Sequence, residues 1–230
     1  MERAGHVESI DSGDWKFSII ESLSYGFAKT KKFFWITLGL YILAYLAIYI
    51  VNFAGGLAVG FLAGSGSLYV LVAAVTVAFL ISVYVYVMIA LGWRRVFLTV
   101  LSGKAPALAC FLDADNHQYF WQYIGASILQ TLIVAVGTIL FIIPGIVWHY
   151  TYMFTKLIVV DKKLGPTEAL AASRKLVAGQ RLNLFVWSLV MAGVNIIGLL
   201  CLGIGLLVTV PTTYYAYVYV YGKLSGKKIA

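Results

Sequence analysis

The sequence predicts an all-α, polytopic membrane bundle: six transmembrane helices in three hairpins, each preceded by a cytoplasmic interfacial helix. Three observations predict it. The 230 residues are 62% hydrophobic and only 11% charged, with a mean hydropathy of +0.92, whereas a soluble domain carries about 25% charge. Three blocks, Phe33–Trp93, Gln118–Thr155 and Leu182–Gly222, contain no Asp, Glu, Lys or Arg. All 17 Lys and Arg residues lie outside those blocks.

Block length sets the span count. A helix rises about 1.5 Å per residue and the hydrocarbon layer is about 30 Å thick, so one span takes about 20 residues. The second and third blocks, roughly 40 residues each, are twice that length and must fold back as hairpins. The first, roughly 60 residues, holds two spans and a surplus. Three hairpins bring every basic residue to one side, and basic residues near spans mark the cytoplasmic face. Both termini are then cytoplasmic in a multi-pass protein. The net charge of +8 is explained by this flanking pattern and does not point to nucleic acid. Cys110 and Cys201 make neither a disulfide framework nor metal-ligand spacing. Acids at Glu2, Glu8, Asp11 and Asp14 argue against a cleaved signal peptide, so the first apolar run reads as an uncleaved anchor.

The elements follow in order. Met1–Gly13 is polar. Phe17, Ile20, Leu23 and Phe27 recur at helical spacing and predict an interfacial helix over 14–29. Lys29, Lys31 and Lys32 mark the inner end of span one, Phe33–Val51. Asn52–Ser67 is the surplus. Its Gly56, Gly60 and Gly64 would give a helix one bare face, read as a packing seam or outer cap, with a re-entrant segment as the sharper reading. Span two, Leu68–Trp93, ends at Arg94-Arg95. Pro106–Leu112 is apolar enough for the interface. Asp113-Ala-Asp-Asn-His117 reads as a turn in preference to a metal site, because no further carboxylate is placed to complete it.

Span three is Gln118–Val136, with Gly137-Thr138 as the outer turn. Span four is Ile139–Val160, kinked at Pro144-Gly145 and returned to water by Asp161-Lys-Lys163. A helix over Pro166–Ala178 is well signalled, with Pro at its first position, Glu168 in its first turn, Arg174 and Lys175 in its last, and Gly179 just beyond. Spans five and six are Leu182–Leu202 and Leu206–Gly222, joined at Gly203–Gly205, with Pro211 inside the sixth.

Sliding the second hairpin by 67 residues onto the third pairs Leu140 with Leu207, Pro144 with Pro211, Tyr150 with Tyr217, Tyr152 with Tyr219 and Lys156 with Lys223. The first unit ends Leu101-Ser-Gly-Lys104 and the third ends Leu224-Ser-Gly-Lys227. The chain thus reads as one membrane domain, 1–230, of three parallel repeat-like units, 14–103, 104–164 and 165–230.

Pro144-Gly145-Ile146, Asp161 and Glu168-Ala-Leu170…Ser173…Gly179 form a pattern: a Pro-Gly-Ile break, an aliphatic run into an acid, then Ala-Leu-x-x-Ser and a Gly. Over Gly137–Gly222 this resembles a bacterial integral-membrane family of uncharacterised, YciC-type proteins. It is similar too to the membrane domain that precedes some glycerophosphodiester phosphodiesterases. The resemblance implies a six-span bundle in a bacterial inner membrane. It implies no catalytic residue, since the phosphodiesterase chemistry resides in a separate soluble domain.

The residues themselves suggest no reaction. There is no HExxH, GxSxG or Gly-rich phosphate loop. No cofactor or metal is expected, and the chain reads as a non-enzyme. Asp161 reads as a pin at the interface, paired with Lys162, Lys163 or a nearby Arg. At depth, His149, Gln130 and Asn195 are the polar candidates, and a neutral His149 bonded to Gln130 or a carbonyl satisfies the physics. Tyr45 and Tyr49 lie too deep to anchor in the interface and are expected to face other helices or a polar cavity. The function expected is lipid-related, or support of another membrane enzyme. Membrane lipids, anionic at the cytoplasmic face, and a membrane protein are the expected partners. The alternative is a small-molecule transporter or channel, motivated by repeats and proline breaks.

Overall fold

The first helix is longer than any expected element. The computed structural model describes residues 16–64, 66–113, 118–201, 203–227 and 229, which are helical with no strand among them. Helix α1 runs from Ile19 to Ala63, 45 residues, with Ser18 accepting a bond from the Glu21 N–H at its start. It merges the expected interfacial helix, span one and the Asn52–Ser67 surplus. No proline interrupts this stretch, and in lipid a broken backbone bond finds no water to replace it. The former boundary survives only as a kink at Phe33 (φ −113°, ψ 18°). Helix α2, Leu68–Leu101, returns over 34 residues. At about 1.5 Å per residue these helices are about 67 and 51 Å long.

A four-residue helix α3, Ala109–Leu112, follows. It folds back on α2, with Phe111 filling the space left by Gly92 and meeting Trp93 edge-on at 5.4 Å. Helix α4 is Phe120–Leu140. The expected outer turn at Gly137-Thr138 lies inside it, and the chain turns instead at extended Phe141 (φ −157°, ψ 138°). Gly137 is a contact point: a Cβ there would stand 2.5 Å from the Trp148 ring.

Span four is not one kinked helix. It is α5, Ile142–Thr151, and α6, Thr155–Lys162. Pro144 falls in the first turn of α5, where its missing N–H has no intrahelical partner to lose. Gly145 lets α5 cross α4 closely, since its Cβ would lie 2.7 Å from the Thr138 Cα. The actual break lies eight residues after Pro144, at Tyr152–Phe154. Lys163 caps α6 in the left-handed region (φ 57°). Helix α7, Pro166–Leu176, is close to expectation, with the Glu168 carboxylate accepting from the Gly165 N–H at 3.2 Å and Gly179 left-handed beyond it (φ 77°). Helices α8, Arg181–Leu200, and α9, Leu206–Leu224, form the last hairpin about left-handed Gly203.

Among the described residues, four helices, α1, α2, α4 and α8, are long and apolar enough to cross a membrane. The expected fourth span is split into pieces of 10 and 8 residues, and α9 carries Pro211, three threonines and five tyrosines. Pro144 and Pro211, paired in the sequence, occupy a first turn and a helix interior respectively.

Burial is polarised. Phe154, Leu157, Ile158, Leu184, Met191, Tyr215 and Tyr221 form a filled core near the charged ends of the helices. Beyond Tyr45 of α1 and before Tyr84 of α2, large apolar residues such as Leu57, Phe61, Tyr69 and Phe79 stand exposed. Soluble monomers rarely expose apolar patches beyond a few hundred Å², and these surfaces are consistent with a membrane protein. In this outer hairpin, Ser82 donates to Asn52 Oδ1 at 3.3 Å, a polar tie between α1 and α2. Of the bare glycine face, Gly56 and Gly60 touch nothing and Gly64 meets only its own helix. The expected packing seam there does not form; neighbouring Gly55 faces Ala78 instead.

Candidate functional site

The close seam lies some thirty residues earlier. Ser22, Gly26, Thr30, Phe33, Thr37 and Leu40 are the buried stripe of α1. They run antiparallel to α9. A Cβ on Gly26 would lie 2.4 Å from the Thr212 carbonyl oxygen. Thr212 bonds Thr30 at 3.1 Å, Thr37 bonds the Tyr215 hydroxyl at 2.8 Å, and the Trp187 indole N–H of α8 donates to Ser22 at 2.9 Å. Sequence reasoning singled out none of these residues. The signal was present, as Ser22-x-x-x-Gly26-x-x-x-Thr30, but it lay in the segment read as an interfacial helix.

Two carboxylates anchor α9 at the charged end. Tyr221 donates to Asp161 of α6 at 2.5 Å, and the Lys227 ammonium pairs with the other Asp161 oxygen. Tyr219 donates to Glu21 of α1 at 2.8 Å, with Lys223 at 3.7 Å. In each triad the lysine also lies over the tyrosine ring, at 5.9 and 5.4 Å. Asp161 is thus pinned by the C-terminal segment; the expected partners were Lys162, Lys163 or an Arg. Arg95 pairs with Asp113; Asp115, Asn116 and His117 of the candidate metal string lie outside the described residues.

The break in span four is held by two side chains. Ser173 of α7 donates to the Thr151 carbonyl at 2.9 Å, and Tyr217 of α9 donates to the Met153 carbonyl at 2.7 Å. Carbonyls freed at a helix break need such partners where water is absent. Ala169, Ser173 and Val177 are fully buried, so α7 is a core element packed against α4 and α6. Its motif residues Glu168, Ser173 and Gly179 act as cap, break partner and left-handed terminator.

The polar candidates His149, Gln130 and Asn195 are not brought together. His149 is exposed and meets Tyr150 edge-on at 5.2 Å, with no bond to Gln130 among the described residues. The Gln130 Oε1 atom is buried without a partner. Asn195 donates to the Met191 carbonyl and to Thr213, both at 3.0 Å. Tyr45 and Tyr49 are 71% and 56% exposed, against the expectation that they face other helices or a polar cavity. Tyr45 instead borders a recess shared with Leu206 and Leu207 at the start of α9. Tyr41, one turn earlier, does pack, stacking on Trp93 at 4.1 Å.

Several recesses remain. One, about 490 Å³, lies at the charged end between α2, α3, α6 and the C-terminal segment, lined by Arg95, Ser102, Asp113, Asp161, Lys163 and Lys227. Another, about 440 Å³, is an apolar lateral groove between α1 and α9, lined by Phe34, Tyr41, Tyr45, Leu207, Val210 and Pro211. A further apolar-walled recess of about 450 Å³, sharing Thr30 and Phe34, continues it to Lys31 and Trp35.

Fold and surface define a helical protein with several membrane-length apolar helices and a hydrogen-bonded core at one end. The family described as "Protein of unknown function (DUF975)" matches residues 96–228, and the chain belongs to that family. The match begins directly after Arg94-Arg95, taking in the packed end and omitting most of the α1–α2 hairpin. The chain is similar to Uncharacterized protein Rv2560 of Mycobacterium tuberculosis (strain ATCC 25618 / H37Rv), 26% identical over 134 residues, 57% of this chain and 40% of that protein. Uncharacterized protein Mb2590 of Mycobacterium bovis (strain ATCC BAA-935 / AF2122/97) matches to the same extent. The match thus spans less than half the length of these curated relatives. No solved structure matches. An uncharacterised family is what the motif pattern led us to expect; the link to YciC-type proteins and phosphodiesterase membrane domains rests on the motifs alone.

Proposed function

We propose that this is a non-enzymatic, multi-pass integral membrane protein that takes a lipid chain into the groove between α1 and α9. The groove itself carries the reading. Its walls are almost wholly apolar, and it opens sideways past exposed Ile42, Tyr45 and Leu207. From Lys31 to Tyr45 it follows fourteen residues of α1, about 21 Å at about 1.5 Å each, more than the roughly 15 Å of one hydrocarbon leaflet. Lys31 supplies an ammonium at one end for an anionic headgroup. The bundle centre is filled by Phe154, Met191, Tyr215 and Tyr221, which favours a lateral site over a central transport path.

In this reading the three charge-free blocks are hairpins in a bacterial inner membrane, with both termini and the charged ends cytoplasmic. The broken α5–α6 segment and α9 then complete six spans, stabilised by neighbours because their own apolarity is modest. The lipids at the charged face are anionic, and a membrane-protein partner covers the outer hairpin.

Lipid extraction and mass spectrometry of the detergent-purified protein test the groove. The wild type should retain about one diacyl lipid per chain, and Leu207→Trp with Val210→Trp should lose it while remaining folded. Equal lipid content in both would reject the groove reading.

A further inference from the structure

At the charged end, two ion pairs line one recess. Arg95 of α2 pairs with Asp113 at the end of α3, and Lys227 of the C-terminal segment pairs with Asp161 of α6. The recess between these elements measures about 490 Å³. Its charges are held from behind. Asp161 also accepts from Tyr221 at 2.5 Å, and the Lys227 backbone N–H bonds the Gly222 carbonyl at 3.0 Å, just beyond left-handed Gly226. Lys163, the left-handed cap of α6, brings a third cation to the lining, its ammonium 5.6 Å from the centre of the Tyr119 ring. Leu98 and Val160 add apolar wall.

Protein interiors are close-packed, with few voids larger than a water molecule. A recess of this size with a few fixed polar groups is the usual form of a small-molecule site. Its charges select the ligand. A purely anionic ligand would meet Asp113 and Asp161, and a purely cationic one would meet Arg95, Lys163 and Lys227. Like charges brought together in a partly desolvated site repel. A zwitterion satisfies both signs. The planar Arg fork matches phosphate oxygens, and a carboxylate accepts from a primary ammonium. The recess at Lys31, by contrast, has no carboxylate among its described lining residues. The level fits as well. Arg95 stands just past the apolar run ending at Trp93, and Asp161 ends the aliphatic run Leu157–Val160. In a membrane-inserted bundle such positions meet the lipid headgroups.

We propose that this recess binds a phosphate ester with a primary ammonium a short carbon link away: a phosphoethanolamine group, carried by a membrane lipid or free in the cytoplasm. Arg95 and Lys163 take the phosphate, and Asp113 takes the ammonium. The site is separate from the α1–α9 groove and its extension, with which it shares no lining residue.

The test is a thermal-midpoint titration of the purified full chain in neutral detergent. It is run in the Leu207→Trp, Val210→Trp background, so that the α1–α9 groove adds nothing. The probes are phosphatidylethanolamine, phosphatidylglycerol and soluble O-phosphoethanolamine. At least one ethanolamine probe should stabilise the chain, and by more than phosphatidylglycerol, which has the phosphate without the ammonium. A response to the lipid alone assigns the ligand to the membrane; a response to the soluble compound, with or without the lipid, assigns it to the cytoplasm. Lys163→Gln, at an exposed position, should weaken the ethanolamine response roughly tenfold, the loss of one charge-assisted contact. Asp113→Asn should erase the preference over phosphatidylglycerol. Ala109→Trp, at an exposed position on the rim, should fill the recess and abolish the response. If Asp113→Asn does not fold, the other two variants decide. Phosphatidylglycerol stabilising as well as the ethanolamine probes, no response to either of them, or unchanged responses in Lys163→Gln and Ala109→Trp would each overturn the proposal.

Discussion

Tyr221 and Asp161 meet at 2.5 Å, although sixty residues separate them in the chain. The bond joins the last helix to the short helix after the break, and Lys227 closes the same carboxylate from the other side. Replacing Tyr221 by Phe leaves one oxygen of a nearly buried carboxylate unsatisfied, which costs about 1–3 kcal/mol. Asp161→Asn keeps a bond to the phenol and loses the partly exposed ion pair, costing about 1 kcal/mol or less. Chemical denaturation in detergent should therefore rank Tyr221→Phe below Asp161→Asn. The reverse order would mean that Lys227, and not the phenol, holds this end.

The α5–α6 break depends on Ser173 and Tyr217 for its two carbonyls. Ser173→Ala and Tyr217→Phe should each destabilise by about 1–3 kcal/mol. Amide exchange should rise over 152–158 in both variants before it rises elsewhere. Unchanged exchange there would show that water or neighbouring backbone already serves the break.

Gly26 and Gly56 are both helical glycines of α1, and they should respond oppositely to alanine. At Gly26 the added methyl collides with the backbone of α9, and overpacking of this kind costs about 1–3 kcal/mol. At Gly56 there is open space, so alanine should stabilise the helix by about 0.5–1 kcal/mol. Thermal midpoints of the two variants check this directly; equal shifts would contradict the seam.

Topology follows from cysteine labelling in a Cys110→Ala, Cys201→Ala background. A membrane-impermeant thiol reagent added to intact cells should modify a cysteine at half-buried Ser67, between α1 and α2, and spare one at exposed Ser102. Labelling at Ser102 from outside would invert or remove the proposed hairpin.

The sequence by itself determined the class of this protein and much of its local structure. Charge-free blocks and their lengths identify apolar helices, because solvation acts residue by residue. The Pro166 start, Glu168 cap and Gly179 terminator were legible for the same reason, since capping involves atoms within one turn. The left-handed Gly203 between α8 and α9 was legible too. The tertiary structure decided the rest. It moved the break in span four from Pro144 to Tyr152–Phe154, because only there do Ser173 and Tyr217 arrive to satisfy the freed carbonyls. It extended α1 through the expected boundary, and it placed the helix seam at Gly26 because Thr212 of α9 lies opposite. It left Tyr45 and Tyr49 exposed, because the face of α1 that packs on α9 is the one carrying Gly26, Thr30 and Thr37. Which tyrosine meets which carboxylate depends on the register of helices up to two hundred residues apart. Periodicity within a single segment carries no record of that register.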